Sequence, residues 1–155
     1  MSEKLSWCFG IENGLKMIEP NKRLSKSYFE RAKNSLERAE KNFEDGDLLW
    51  TTVVAYYAEY YALYSFLQRI GVKCENHSCS IEAVSQLIGE EKVEPIRKHK
   101  KKRVDAQYYM EVGKEQGVED ILKEAKKFVS ELDMIISDTK EGDVEKYREM
   151  LSKYK

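Results

Sequence analysis

The chain has 155 residues, 41% hydrophobic and 35% charged, with a net charge of −1. That length suits one domain with one continuous core, and the balance excludes both a disordered polar chain and a membrane bundle. Two prolines and eight glycines are few, which argues for long helices over a turn-rich all-β fold.

The first segment, about Lys4 to Ile18, offers Leu5, Trp7, Phe9, Ile11, Leu15 and Ile18 without a clean period. Gly10 and Gly14 weaken a helix there, so the expectation is a short one, ended by Pro20. Met1-Ser-Glu-Lys has no basic patch followed by an apolar run, so no secretory leader is read. Cys8, Cys74 and Cys79 are accordingly expected as free thiols in a reducing cytoplasm. Next, Leu24, Tyr28, Ala32, Leu36, Ala39 and Phe43 recur every three or four residues, the spacing of one helical face. Gly46 supplies a stop and Asp47 a cap for the following helix, and so short a connection predicts antiparallel packing.

From Leu48 to Arg69 the apolar residues surround the axis, and Glu59 is the only charge before Arg69. The length is enough to cross a bilayer. However, Thr51, Thr52, Ser65 and five tyrosines interrupt it between polar amphipathic neighbours, which identifies a buried central helix instead. Ala55, Ala58 and Ala62 allow neighbouring helices to approach closely. Tyr56, Tyr57, Tyr60, Tyr61 and Tyr64 are read first as core and interface aromatics, and second as a stacking surface for nucleotides. Glu59 is the nearest acceptor for their hydroxyls.

After Gly71, a short helix is predicted from Ser80 to Ile88 and a longer one from about Pro95, a residue tolerated in a first turn, to Met110. Val118, Ile121, Leu122, Ala125, Phe128, Val129, Leu132, Ile135 and Ile136 trace another amphipathic helix, and a last one covers about Asp143 to Tyr154. The sum is all-α: an up-and-down antiparallel bundle of four to five main helices plus short extra ones, a single domain over residues 1–155.

The sharpest chemical feature is Arg97-Lys98-His99-Lys100-Lys101-Lys102-Arg103, whose six formal positive charges leave −7 on the rest of the chain. Such a run is either a solvated helix face or a phosphate-contacting surface that gains from counterion release. Arg103 itself is either an anion clamp, with a tyrosine hydroxyl from Tyr108 or Tyr109 as second donor, or the partner of a carboxylate across the bundle. Cys74, His77 and Cys79 fall short of a structural zinc site, which needs a fourth ligand and paired spacing, so no metal is expected. His77, ahead of Ser78 and Ser80, is read instead as helping to start the next helix. No Gly-rich phosphate loop, nucleophile elbow or Glu-x-x-His pair occurs, and no cofactor is implied.

The stretch WTTVVAYYAEYYALYSFLQRIGVKCENHSCSIEAVSQL, Trp50 to Leu87, resembles the core of the HEPN family, in particular a small prokaryotic branch of stand-alone members. The shared features are Tyr56, Tyr57, Ala58 and Tyr61, a turn with Gly71 and Lys73, His77 before the third helix, and an Arg-x-x-Ala-x-Tyr pattern at Arg103, Ala106 and Tyr108. The resemblance covers most of Ser27 to Ile136. It implies a helical bundle, frequently a homodimer, with a polar groove for RNA or nucleotides, and in some systems a minimal nucleotidyltransferase partner, as in toxin–antitoxin pairs. Many HEPN proteins are metal-independent ribonucleases that use an arginine and a histidine with four to six residues between them. Here the corresponding places after Arg103 hold Tyr108, Tyr109 and Met110, and tyrosine, with a pKa of about 10, is a poor general base.

The expectation is therefore a cytoplasmic HEPN-like protein that binds nucleotide, RNA or a nucleotidyltransferase, with Arg103, Tyr108, Asp105, His77 and Lys100 as candidate ligand-binding residues. The alternatives are a metal-independent ribonuclease, with His77 or His99 reaching the phosphate held by Arg103, and a structural dimerisation module.

Overall fold

The computed structural model describes residues 2–155, and these form seven α-helices and one two-stranded antiparallel ribbon. Helix α1 spans Ser2–Gly10, β1 Lys16–Met17, α2 Lys22–Glu44, α3 Leu48–Ile70, β2 Val72–Lys73, α4 His77–Ile88, α5 Glu90–Tyr109, α6 Glu115–Asp138 and α7 Glu141–Ser152. Four helices are long, as the periodicity predicts, and α1, α4 and α7 are the short extra ones. No described helix is long and apolar enough to cross a membrane.

Helix α3 is the axis, packed by α2, α4, α5, α6 and α7. Ala55, Ala58 and Ala62 are fully buried, so neighbouring helices close onto the backbone there. The α2–α3 connection is as read from the sequence: Gly46 has φ +78°, and the Asp47 side chain accepts from the Trp50 N–H at 3.1 Å. Between these helices Ser25 and Ser65 exchange hydrogen bonds, each hydroxyl donating to the other residue's carbonyl at 2.7 Å. The pairing satisfies both polar groups inside the core.

Four details depart from the sequence reading. The first helix stops at Gly10, and the chain then turns so that Lys16 pairs with Lys73 and Met17 with Val72. Strands this short leave no alternating pattern to detect. Helix α5 begins at Glu90, one turn before Pro95. Pro95 therefore lies inside the helix, close enough to its start to forfeit a single backbone bond, while Glu90 and Glu91 suit the positive end of the helix dipole. Asn76, not His77, caps α4, its side chain accepting from the Cys79 N–H at 3.0 Å. Finally, Cys8 and Cys79 are not free thiols. They form a disulfide across 71 residues of sequence because α1 packs on α4 with Cα atoms 5.7 Å apart, leaving Cys74 as the free cysteine among the described residues.

Helix α7 closes the bundle through Arg148, whose Nη1 donates to the carbonyls of Ile18, Ile70 and Gly71 at 2.8, 2.9 and 2.9 Å. Gly71 has φ +82°, and a Cβ there would strike Arg148 Nη1 and the Ile18 carbonyl. Gly71→Ala is therefore expected to destabilise by about 2 kcal/mol or more, from the left-handed backbone plus the loss of this clasp. A shift in the denaturation midpoint at unchanged slope measures it.

Candidate functional site

The candidate residues lie where α5 crosses α3 and the start of α4. On α5, Ile96, His99, Arg103 and Ala106 are buried, spaced by three and four residues along one face. The basic run therefore divides around the helix. Arg97 pairs with Glu82 at 3.0 Å and Glu90 at 2.8 Å, Lys98 with Glu124 at 3.0 Å, and Lys101 with Asp105 at 3.0 Å. These are the solvated, neutralised part of the run.

The buried part holds two unlike arrangements. Glu59, fully buried on α3, faces His99 Nδ1 at 2.8 and 3.0 Å, and His99 Nε2 faces Glu124 at 2.8 Å. Carboxylates only accept hydrogen bonds when ionised, so the trio holds one proton more than a neutral imidazole between two carboxylates. Burial pulls His99 towards the neutral form, but Glu59 and Glu124 outweigh it and hold its pKa above the usual histidine range. Burial likewise raises Glu59, against His99. Glu59 thus serves His99 and not the tyrosine hydroxyls expected from sequence. Those hydroxyls find other partners: Tyr60 meets Ser80 at 2.8 Å, Tyr64 accepts from the Cys74 N–H at 3.1 Å, and Tyr56 meets His77 Nδ1 at 2.9 Å.

One turn further along α5, Arg103 meets no carboxylate among the described residues. Its guanidinium carbon lies 5.2 Å from the Tyr56 ring centroid, 5.6 Å from Tyr57 and 6.0 Å from Tyr108, within cation–π range of all three. Nη1 makes a long bond of 3.4 Å to Gln107, and Nε is buried with no partner. The carboxylate tie considered from sequence is absent; aromatic faces hold this cation instead. Lys100, half-buried beside it, has its pKa lowered by burial and by the charges of Arg103 and Lys4.

His77 completes the cluster from α4. Its ring stacks on Tyr60 with centroids 3.7 Å apart. Burial, then Arg103, then Lys100 push its pKa down to about 4, so it is neutral at pH 7. Tyr56 is pushed strongly upwards by burial and keeps its proton. The acceptor in reach of that O–H is His77 Nδ1, which assigns the imidazole hydrogen to Nε2. The cluster therefore gathers a guanidinium and an ammonium, both donors suited to an oxyanion, beside a neutral imidazole.

The fold thus brings together Arg103, Lys100 and His77, with Tyr108, 66% exposed, at the rim. It does not bring in Asp105, which turns towards Lys101. Sequence reasoning did not place Tyr56 and Tyr57 beside Arg103. The unpaired Glu59 and His99 carried the missing signal, since matching them fixes the antiparallel register that sets Tyr56 against Arg103. A groove of about 690 Å³ between α5 and α6 lies apart from the cluster, lined by mixed charges including Glu91, Lys92, Lys98 and Glu124.

The HEPN domain profile matches residues 25–135, well over half of the chain. The chain belongs to the HEPN family. No curated protein and no solved structure matches it. In this HEPN chain the imidazole beside Arg103 comes from α4, whereas the residues that follow Arg103 along α5 supply the exposed Tyr108, Tyr109 and Met110. The Cys74–Cys79 segment offers no thiolate pair, because Cys79 is spent on the disulfide.

Proposed function

We propose that this HEPN protein binds a phosphate of a nucleotide or of RNA at Arg103, Lys100 and His77, without the standard nuclease chemistry. The observation that carries the reading is Arg103: nine-tenths buried, cradled by tyrosine faces, with an unpartnered Nε and, among the described residues, no carboxylate to neutralise it. A buried cation left in that state is stabilised by an anion from outside. Arg103→Ala is expected to weaken binding of a nucleoside monophosphate by at least tenfold, and Lys100→Ala by less, with affinity falling as salt rises. Titration calorimetry at two salt concentrations tests this; unchanged, salt-insensitive binding in both variants contradicts it.

One observation favours a second reading, metal-independent RNA cleavage: a neutral imidazole stands beside the phosphate-binding arginine. Against it, the His77 Nδ1 lone pair is engaged by Tyr56, so abstracting a proton requires the opposite tautomer. Incubation with structured and single-stranded RNA in chelator decides the matter. Cleavage no greater than that of Arg103→Ala removes this reading.

Partnership with a second copy or a minimal nucleotidyltransferase is supported by the exposed Tyr108, Tyr109 and Met110 at the end of α5, and mass measurement and co-purification test it. A cytoplasmic location stays part of the proposal, although the disulfide weighs against it, such bonds being rare in most cytosols.

A further inference from the structure

Beyond Arg103, the tyrosines of α3 continue along the surface towards α2. Tyr57, whose ring faces Arg103, is followed at 6.3 Å by Tyr61, and Tyr61 at 6.2 Å by Tyr28 of α2, nearly parallel at 26°. All three rings are half-buried, so each leaves part of its surface open. A pocket of about 390 Å³, lined by Leu24, Ser27, Tyr28, Arg31 and Tyr61, lies at the far rings. Arg31 is exposed there and pairs with no carboxylate among the described residues. The two buried tyrosines, Tyr56 and Tyr60, direct their hydroxyls to His77 and Ser80. The row packs edge-on against this aromatic core, Tyr57 at 5.5 Å from Tyr56 and Tyr28 at 5.0 Å from Tyr64, and leaves its outer side partly open.

We infer that Tyr57, Tyr61 and Tyr28 with Arg31 form a second nucleotide subsite, so that the protein takes a single-stranded RNA segment and not a lone nucleotide. This rests on the reading of Arg103 as a phosphate site. The chemistry is that of sequence-tolerant single-strand binding, with bases stacking on aromatic faces and cations meeting the backbone. The spacing is compatible with a single strand. Bases within a duplex repeat at about 3.4 Å along each strand, whereas these ring centres are 6.2–6.3 Å apart, a distance that suits bases already unstacked. The charge is also complementary: Arg103 and Lys100 stand beside Tyr57, and Arg31 stands beside Tyr61 and Tyr28.

The test compares a uridine monophosphate with oligouridylates of increasing length on the full chain, by anisotropy or calorimetry. Affinity is expected to rise with length and then level off. Tyr61→Ala and Arg31→Ala should each remove about tenfold of that gain while leaving monophosphate binding unchanged. Tyr61→Phe, which keeps the ring, should retain it, and Arg31, being exposed, can be replaced without disturbing the core. Arg103→Ala should weaken both ligands. Oligonucleotides that bind no tighter than the monophosphate overturn the second subsite and leave the Arg103 reading standing. Failure of every ligand, the monophosphate included, removes both. A solution mass that halves on Tyr61→Ala, with no effect on RNA, assigns the row to a second copy and overturns the inference.

Discussion

Glu59→Ala is expected to destabilise the protein by about 3–5 kcal/mol, the usual consequence of removing one partner from a buried ion pair. The reason is local. His99 is fully buried, and among the described residues its Nδ1 faces only Glu59; without that carboxylate a buried N–H loses its acceptor and the imidazolium keeps only the partly exposed Glu124. With total stability of roughly 5–15 kcal/mol for a domain, this loss is a large share of the whole. Replacing both residues, Glu59→Leu with His99→Leu, should recover most of the loss, because a matched apolar pair of similar volume carries no desolvation penalty. Glu124 keeps Lys98 at 3.0 Å in that variant. A double-mutant cycle by chemical denaturation measures the coupling, and additive single effects contradict it.

The same trio sets a pH dependence whose direction is fixed. His99 has a folded pKa raised above its ordinary 6.5. Its contribution is complete below pH 6.5 and is lost as pH rises through the folded value. His77 runs the other way: held down to about 4, it contributes fully above pH 6.5 and loses that contribution as pH falls through 4. The alkaline loss should therefore flatten in Glu59→Leu/His99→Leu, while the acid loss persists.

The second large effect belongs to the disulfide. Cys8→Ala with Cys79→Ala is expected to lower stability by about 4 kcal/mol, the chain-entropy value for a loop of this length, and the melting temperature by roughly 10 °C. Both sulfurs are fully buried, so lost packing adds to the entropic part. Reductant strong enough to open the bond should produce a similar shift in the parent protein and none in the variant. If reductant destabilises both equally, the effect lies elsewhere.

The helices were legible because their signals are local. The α2 stripe from Leu24 to Phe43, the Gly46–Asp47 junction and the all-round apolar α3 each follow from neighbours a few residues away, and the structure has them where the spacing predicts. What was not legible depends on distant pairs. The Cys8–Cys79 bond requires knowing that α1 lands on α4, and spacing alone cannot supply that. Glu59 reads as a tyrosine partner until α5 is docked, after which His99 is the nearer base. The candidate site was partly visible for the same reason. Arg103, Lys100 and His77 stood out by type, but Asp105 was grouped with them by sequence proximity, and the helix turns it away towards Lys101.

His77 is the reporter of the phosphate-binding cluster proposed for it with Arg103 and Lys100. The chain has two histidines, so imidazole NMR resolves His77 with buried His99 as internal control. Titrated alone, His77 should ionise near pH 4, held low in part by the two cations beside it. Saturation with a nucleoside monophosphate should raise that pKa, since an anion at Arg103 and Lys100 favours imidazolium, and His99 should not move. A His77 that titrates as before, with shifts unchanged by saturating nucleotide, contradicts the account.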